Sequence, residues 1–104
     1  MRHILFMALA AAFSAQAGAQ ALNANEINTR SLAATCANCH GTDGRTVPNS
    51  TVPSIAGMPA GYIVEQMKAF KSGARPATVM HQLAKGYSDE QIATIANYFA
   101  SVKR

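Results

Sequence analysis

Apolar residues recur along this chain at helical spacing, and no stretch alternates as a half-buried strand does. From 24 to 35 the apolar or small residues Ala24, Ile27, Ser31, Leu32 and Ala34 form one narrow face, which predicts a first helix with Asn23 or Asn25 as its cap. Residues 46–57 are rich in Pro, Ser, Thr and Gly and have no period. They read as an ordered loop anchored by Val47, Val52 and Ile55. A second helix is expected over 59–72, with Pro59 in its first turn and Gly73 as its C-terminal cap. Tyr62, Ile63, Gln66, Met67 and Phe70 share one side of it, and Lys68 and Lys71 fall on the other. After the break at Arg75-Pro76, residues 78–84 allow one or two helical turns, ended by Gly86. Ser88-Asp89-Glu90-Gln91 is a capping box that opens a last helix over 89–102. Ile92, Ile95, Ala96, Phe99 and Val102 line that helix, and Lys103 and Arg104 suit the negative end of its dipole. The fold class expected is all-α, with the first and last helices packed together and Leu32 near Tyr98 or Phe99.

The head of the chain reads differently. Met1-Arg2-His3 is basic, Ile4 to Phe13 is apolar, and small residues follow through Gln20. This is the layout of a secretory signal peptide, with candidate cleavage after Ala17 or Ala19, the latter preferred. The apolar run, about 10 residues, falls short of the roughly 20 that cross a bilayer. The expectation is a leader over 1–19, a single domain over 20–104 and a periplasmic location. No other stretch could span a membrane.

A domain of about 85 residues is small for a self-sufficient core. Beyond the leader it has five aromatic residues, Tyr62, Phe70, Tyr87, Tyr98 and Phe99, and no tryptophan. Such a chain needs a staple. The whole sequence carries a formal charge of +4, and without the leader eight cationic residues face five acidic ones. That balance does not suit nucleic-acid binding. Lys68, Lys71 and Arg75 cluster, either as a solvated helix face or as a docking patch for an acidic redox partner.

The staple is written at Cys36-Ala37-Asn38-Cys39-His40, which holds both cysteines of the chain. Cys-x-x-Cys-His is the pattern of covalent haem attachment. Two thiols three positions apart on a helical turn can each add to a vinyl group, and the next residue offers an imidazole to the iron. A thioredoxin-like pair would need strands around it, and a zinc site would need four ligands. A disulfide over so short a loop would add little stability and leave His40 without a role. The motif occurs once, so one haem is expected. His40 is the proximal ligand in this reading, and its second ring nitrogen needs an acceptor, for which the Pro53 carbonyl is the best candidate.

The sixth ligand has four candidates, Met58, Met67, Met80 and His81. Met67 lies on a helix face that needs core residues. Met58 is only 18 positions beyond His40, too few to wrap the haem edge easily. Met80, 40 positions on and past a proline break, can reach the far face and is the preferred ligand. A thioether raises the potential and closes the sixth position, which argues for electron transfer over oxygen chemistry. The chain shows no acid–base pair or nucleophile of its own, so catalysis by this polypeptide alone is not expected.

These segments resemble the class I cytochromes c of the small bacterial type. The likeness runs through Leu32 to Gly41, Pro53 to Gly57, Tyr62 to Gly73, Thr78 to Met80, Ala84 to Ile92 and Ala96 to Ala100. Gln66 to Gly73 and Thr78 to Ile92 are most similar to the cytochrome subunit of flavocytochrome c sulfide dehydrogenase. The resemblance implies helices wrapped around one haem c, thioethers at Cys36 and Cys39, axial ligands His40 and Met80, and the Pro53 carbonyl on His40. It also implies an FAD-containing flavoprotein partner that oxidises sulfide; an independent soluble carrier is the alternative. The chain departs from the family in two ways. Its first helix lacks the glycine often found where it crosses the last, with Asn28 and Ser31 the small residues near that crossing. It also has one haem motif where many relatives have two.

Overall fold

A computed structural model describes residues 23–104. The leader expected over 1–19 lies outside the described residues. Helix α1 spans Ala24–Ala34, α2 spans Ala37–His40, and a 3-10 turn covers Thr42–Gly44. Helices α3 (Ala60–Ser72), α4 (Met80–Lys85) and α5 (Asp89–Ser101) follow. There is no strand among the described residues.

Each boundary has a local cause. Asn23 caps α1 by accepting the Glu26 N–H at 2.9 Å, and Glu26 pairs with Arg30 one turn on. Pro59 takes the N-cap position of α3 rather than a place in its first turn, and Gly73 ends the helix at φ +80°. The 78–84 turns begin later, at Met80, because Val79 has an extended φ of −134°. The capping box of α5 closes in both directions: Ser88 Oγ accepts from Gln91 N–H, and Gln91 Oε1 accepts from Ser88 N–H. Lys103 and Arg104 lie beyond the last turn of α5. There the Arg45 guanidinium donates to the Lys103 carbonyl at 3.1 and 2.6 Å and fastens the C-terminal segment to the loop after α2.

Helix α5 is the centre of the core. Ile92, Ile95, Ala96 and Phe99 are buried along it, joined by Ile63 and Met67 from α3 and Ala84 from α4. Met67 is a core residue, as its place on the helix face led one to expect. From α1 the buried residue is Ala33, 4% exposed, while Leu32 is half-buried against the same cluster as Tyr98 and Phe99. The proposed small residues Asn28 and Ser31 are exposed, and Ile27 is 51% exposed, so the expected face is misplaced. The reason is rotation about the helix axis. Glu26, Thr29 and Arg30 line a hollow shared with Tyr98 and Ser101, which turns the 26–29–33 side of α1 toward α5. A small alanine at the buried position lets α1 approach α5 closely.

The cations of α3 have partners. Lys68 Nζ and Lys71 Nζ lie 3.9 and 3.7 Å from the Asp89 carboxylate, and Lys71 donates to the Tyr87 carbonyl at 2.6 Å. Arg75 stacks over Phe70, 4.7 Å from the ring centroid, and bonds Gln66. The two lysines tie α3 to the start of α5, and Arg75, just beyond α3, folds back on it, which favours the solvated-face reading of the cluster over free docking charges.

Candidate functional site

Helix α1 runs into the cysteine motif through Thr35 and Cys36, both with right-handed helical backbone. Thr35 ends α1, its hydroxyl donating back to the Leu32 carbonyl at 2.7 Å. Cys36 then stands at the N-cap of α2. The His40 N–H bonds the Cys36 carbonyl at 3.0 Å, so Cys36 and His40 bracket one helical turn with Cys39 between them. Cys36 is half-buried against the core and Cys39 is exposed. Burial pushes the Cys36 thiol above its ordinary pKa; the Thr35 hydroxyl pulls the other way and the neighbouring Cys39 adds a little.

Gly41 makes the turn that follows. Its φ of +79° and ψ of 166° suit glycine alone, and a Cβ there would stand 1.9 Å from the Arg45 carbonyl oxygen. Asp43 continues the turn with φ +54°. Its carboxylate accepts the Tyr98 hydroxyl at 2.7 Å and faces Arg45 at 3.5 Å. The chain then loops out and returns at Pro53. The Gly44 carbonyl accepts Ile55 N–H at 2.9 Å, Ala56 N–H at 3.2 Å and the Ser54 hydroxyl at 2.8 Å. Gly57 N–H is tied to the Phe99 carbonyl at 2.8 Å. The 53–57 segment is therefore anchored on both the post-motif turn and α5.

The anchored loop sets the imidazole. His40 Nδ1 lies 2.7 Å from the Pro53 carbonyl oxygen. A carbonyl can only accept, so Nδ1 carries the proton and Nε2 keeps its lone pair for a metal. This geometry is the one expected for a proximal ligand whose second nitrogen is held by a backbone carbonyl. Among the described residues no three His, Cys, Asp or Glu groups gather as a metal cluster.

The sixth-ligand candidates fall in different places. Met67 is buried in the core, while Met58 and Met80 are both half-buried against the cluster that Cys36 also touches. Met80 opens α4, flanked by Val79 and Leu83, which are 52% and 50% exposed. The Nδ1 of His81 is buried without a hydrogen-bond partner among the described residues. The donor set fits a haem: two cysteines on one turn, an imidazole with Nε2 released, a half-buried thioether and an apolar rim. Tyr87 was not singled out for the site in the sequence, yet its hydroxyl lies 2.7 Å from Thr35 Oγ1, beside Cys36. Only the fold joins those two residues, which lie 52 positions apart.

The chain is similar in sequence to known proteins. The family model for cytochrome c matches residues 15–103. The cytochrome subunit of sulfide dehydrogenase from Chlorobaculum tepidum is 45% identical over 73 residues, covering 70% of this chain and 64% of that protein. The thiosulfate dehydrogenase electron acceptor of Thiomonas intermedia is 38% identical over 71 residues, covering 68% of this chain and 33% of that protein. Cytochrome c-554(548) of Halomonas halodenitrificans is 41% identical over 70 residues, 64% of this chain and 83% of that protein. The chain thus spans about two thirds or less of the first two relatives. It belongs to the cytochrome c family and carries one attachment motif for a covalently bound haem c.

Proposed function

We propose that this chain is a periplasmic single-electron carrier whose haem is held by thioethers at Cys36 and Cys39 and by axial bonds from His40 and Met80. The observation that carries the reading is the 2.7 Å bond from His40 to the Pro53 carbonyl, with Cys36 and Cys39 on the helical turn that leads into His40. When bound, the haem supplies a one-electron ferric–ferrous couple. The chain's own residues do the rest. Cys36 and Cys39 fix the ring to α2. The Pro53 carbonyl orients the imidazole and strengthens its donation. The Met80 thioether favours the ferrous state and closes the second face. Val79 and Leu83 supply apolar surface beside it. Export is by the leader over 1–19, with residues 20–104 as the mature domain. No helix among the described residues is long and apolar enough to cross a membrane.

The donor is an FAD-containing subunit that oxidises sulfide. Support comes from the likeness to the Chlorobaculum tepidum cytochrome subunit of sulfide dehydrogenase. The second reading is an independent soluble carrier. It is favoured by the 83% coverage of the Halomonas cytochrome, a protein close to this one in size. Purification from the native host separates the two. The subunit reading expects flavin to copurify and sulfide to reduce the haem. A flavin-free preparation, with no reduction by a candidate flavoprotein, leaves the independent carrier.

A further inference from the structure

We propose that Ser54 is a positioning residue for the axial histidine, acting through the Pro53 carbonyl. The inference rests on the ligand reading above and concerns what holds the ligand in place. The carbonyl of Pro53 and the N–H of Ser54 belong to one rigid peptide plane. That plane has few restraints. Its N–H edge is unpinned, because Ser54 N–H donates to no group among the described residues. The firm backbone anchors begin one residue later, where Ile55 and Ala56 bond the Gly44 carbonyl. The Ser54 hydroxyl reaches that same carbonyl at 2.8 Å, in a partly buried bond. It extends the anchor back to the plane whose oxygen meets His40 Nδ1 at 2.7 Å.

Gly44 is thus the shared post for the loop, and it cannot drift. A Cβ on it would stand 2.7 Å from Ile55 Cγ1 and 2.9 Å from the Phe99 ring, so its backbone is packed directly on the core. The order of restraint runs from Phe99 to Gly44, to Ser54, to the Pro53 carbonyl, to His40. Without the hydroxyl, the 53–54 peptide plane can rotate and the bond to His40 lengthens. The imidazole then donates less electron density, the ferric state loses stabilisation, and the reduction potential rises.

The test uses the assembled holoprotein. Ser54→Ala raises the midpoint potential, with a shift of up to tenfold in the reduction equilibrium, about 59 mV for one electron. Ser54→Thr, which keeps a hydroxyl, retains the parent value. Ser54→Val is isosteric with Thr and tests the hydroxyl at constant volume. Ser101→Ala is the control, because it removes a similar side-chain bond to the Tyr98 carbonyl at 2.7 Å, away from His40. The Nδ1 proton resonance of His40 in the ferrous protein moves upfield in the Ala and Val variants alone. Unchanged potentials in Ala and Val, or an equal shift in Ser101→Ala, overturn the proposal. So does loss of haem from both Ala and Val with Thr intact, which assigns the hydroxyl to loop folding only. The ligand reading is judged separately in the parent protein. If the ferrous His40 ring protons lack the large ring-current shifts of an axial ligand, that reading fails whatever Ser54 does.

Discussion

Gly44 and Gly73 make a matched pair that isolates packing from backbone strain. Both have nearly the same positive φ, +76° and +80°. An alanine at either site carries a similar left-handed cost, about 1–2 kcal/mol. Their surroundings differ. Nothing lies within 4 Å of a Cβ built on Gly73, whereas one on Gly44 meets Ile55 Cγ1 at 2.7 Å and two Phe99 ring atoms at 2.9 and 3.0 Å. Phe99 is 1% exposed and cannot swing away, so either the ring or the loop must move. Overpacking of that kind costs about 1–3 kcal/mol. Gly44→Ala is therefore expected to lose about 2–5 kcal/mol and Gly73→Ala about 1–2 kcal/mol. Guanidinium unfolding of the ferric holoprotein, followed by haem absorption and far-UV circular dichroism, reads both against the parent. The reasoning is refuted if the two variants agree within about 0.5 kcal/mol, the usual spread for a surface change.

Other expectations follow from single contacts. Tyr98 is held above its ordinary pKa, chiefly because its hydroxyl donates to Asp43; burial and the Asp43 charge add to this, and Arg30 and Arg45 oppose it. A group with a raised folded pKa adds stability that is fully present below its unfolded value, about 10 for tyrosine, and is lost as pH rises through the folded value. Denaturation midpoints measured across that alkaline range should fall more steeply for the parent than for Tyr98→Phe; parallel curves would remove the Tyr98–Asp43 bond from the account. Ser88→Ala breaks one half of the capping box on α5 and should cost about 1 kcal/mol, or about 4–8 °C in Tm by calorimetry. A Tm within 1 °C of the parent, about the error of the scan, would mean that the cap adds nothing.

The helices were legible because each carried its own local signal. Ser88 and Gln91 announced the start of α5, Gly73 the end of α3, and the spacing of Ile92, Ile95, Ala96 and Phe99 the core stripe. The haem motif was legible for a similar reason, since its chemistry is confined to five consecutive residues. The Pro53 carbonyl was reached by asking what His40 lacked, and the loop delivers it at 2.7 Å. The misreadings lie where tertiary contacts decide. The face of α1 is too weakly patterned to fix its rotation, so Ile27, Asn28 and Ser31 were preferred over Ala33. Lys103 and Arg104 looked like dipole partners, but the chain leaves the helix at Val102 and Arg45 comes from 58 positions away to hold it. The Thr35–Tyr87 and Tyr98–Asp43 bonds join residues 52 and 55 positions apart, and no local pattern encodes them.

Met80 is proposed above to close the haem opposite His40, which would make the site an electron carrier. The most direct test is the weak far-red ferric absorption band of thioether-to-iron ligation, recorded on purified holoprotein for the parent, Met80→Ala and Met58→Ala. The band is expected in the parent and in Met58→Ala, and its loss in Met80→Ala with a large fall in potential. A band that survives Met80→Ala but vanishes in Met58→Ala contradicts the ligand assignment. A parent protein without the band, binding exogenous ligands readily, contradicts the electron-carrier reading itself.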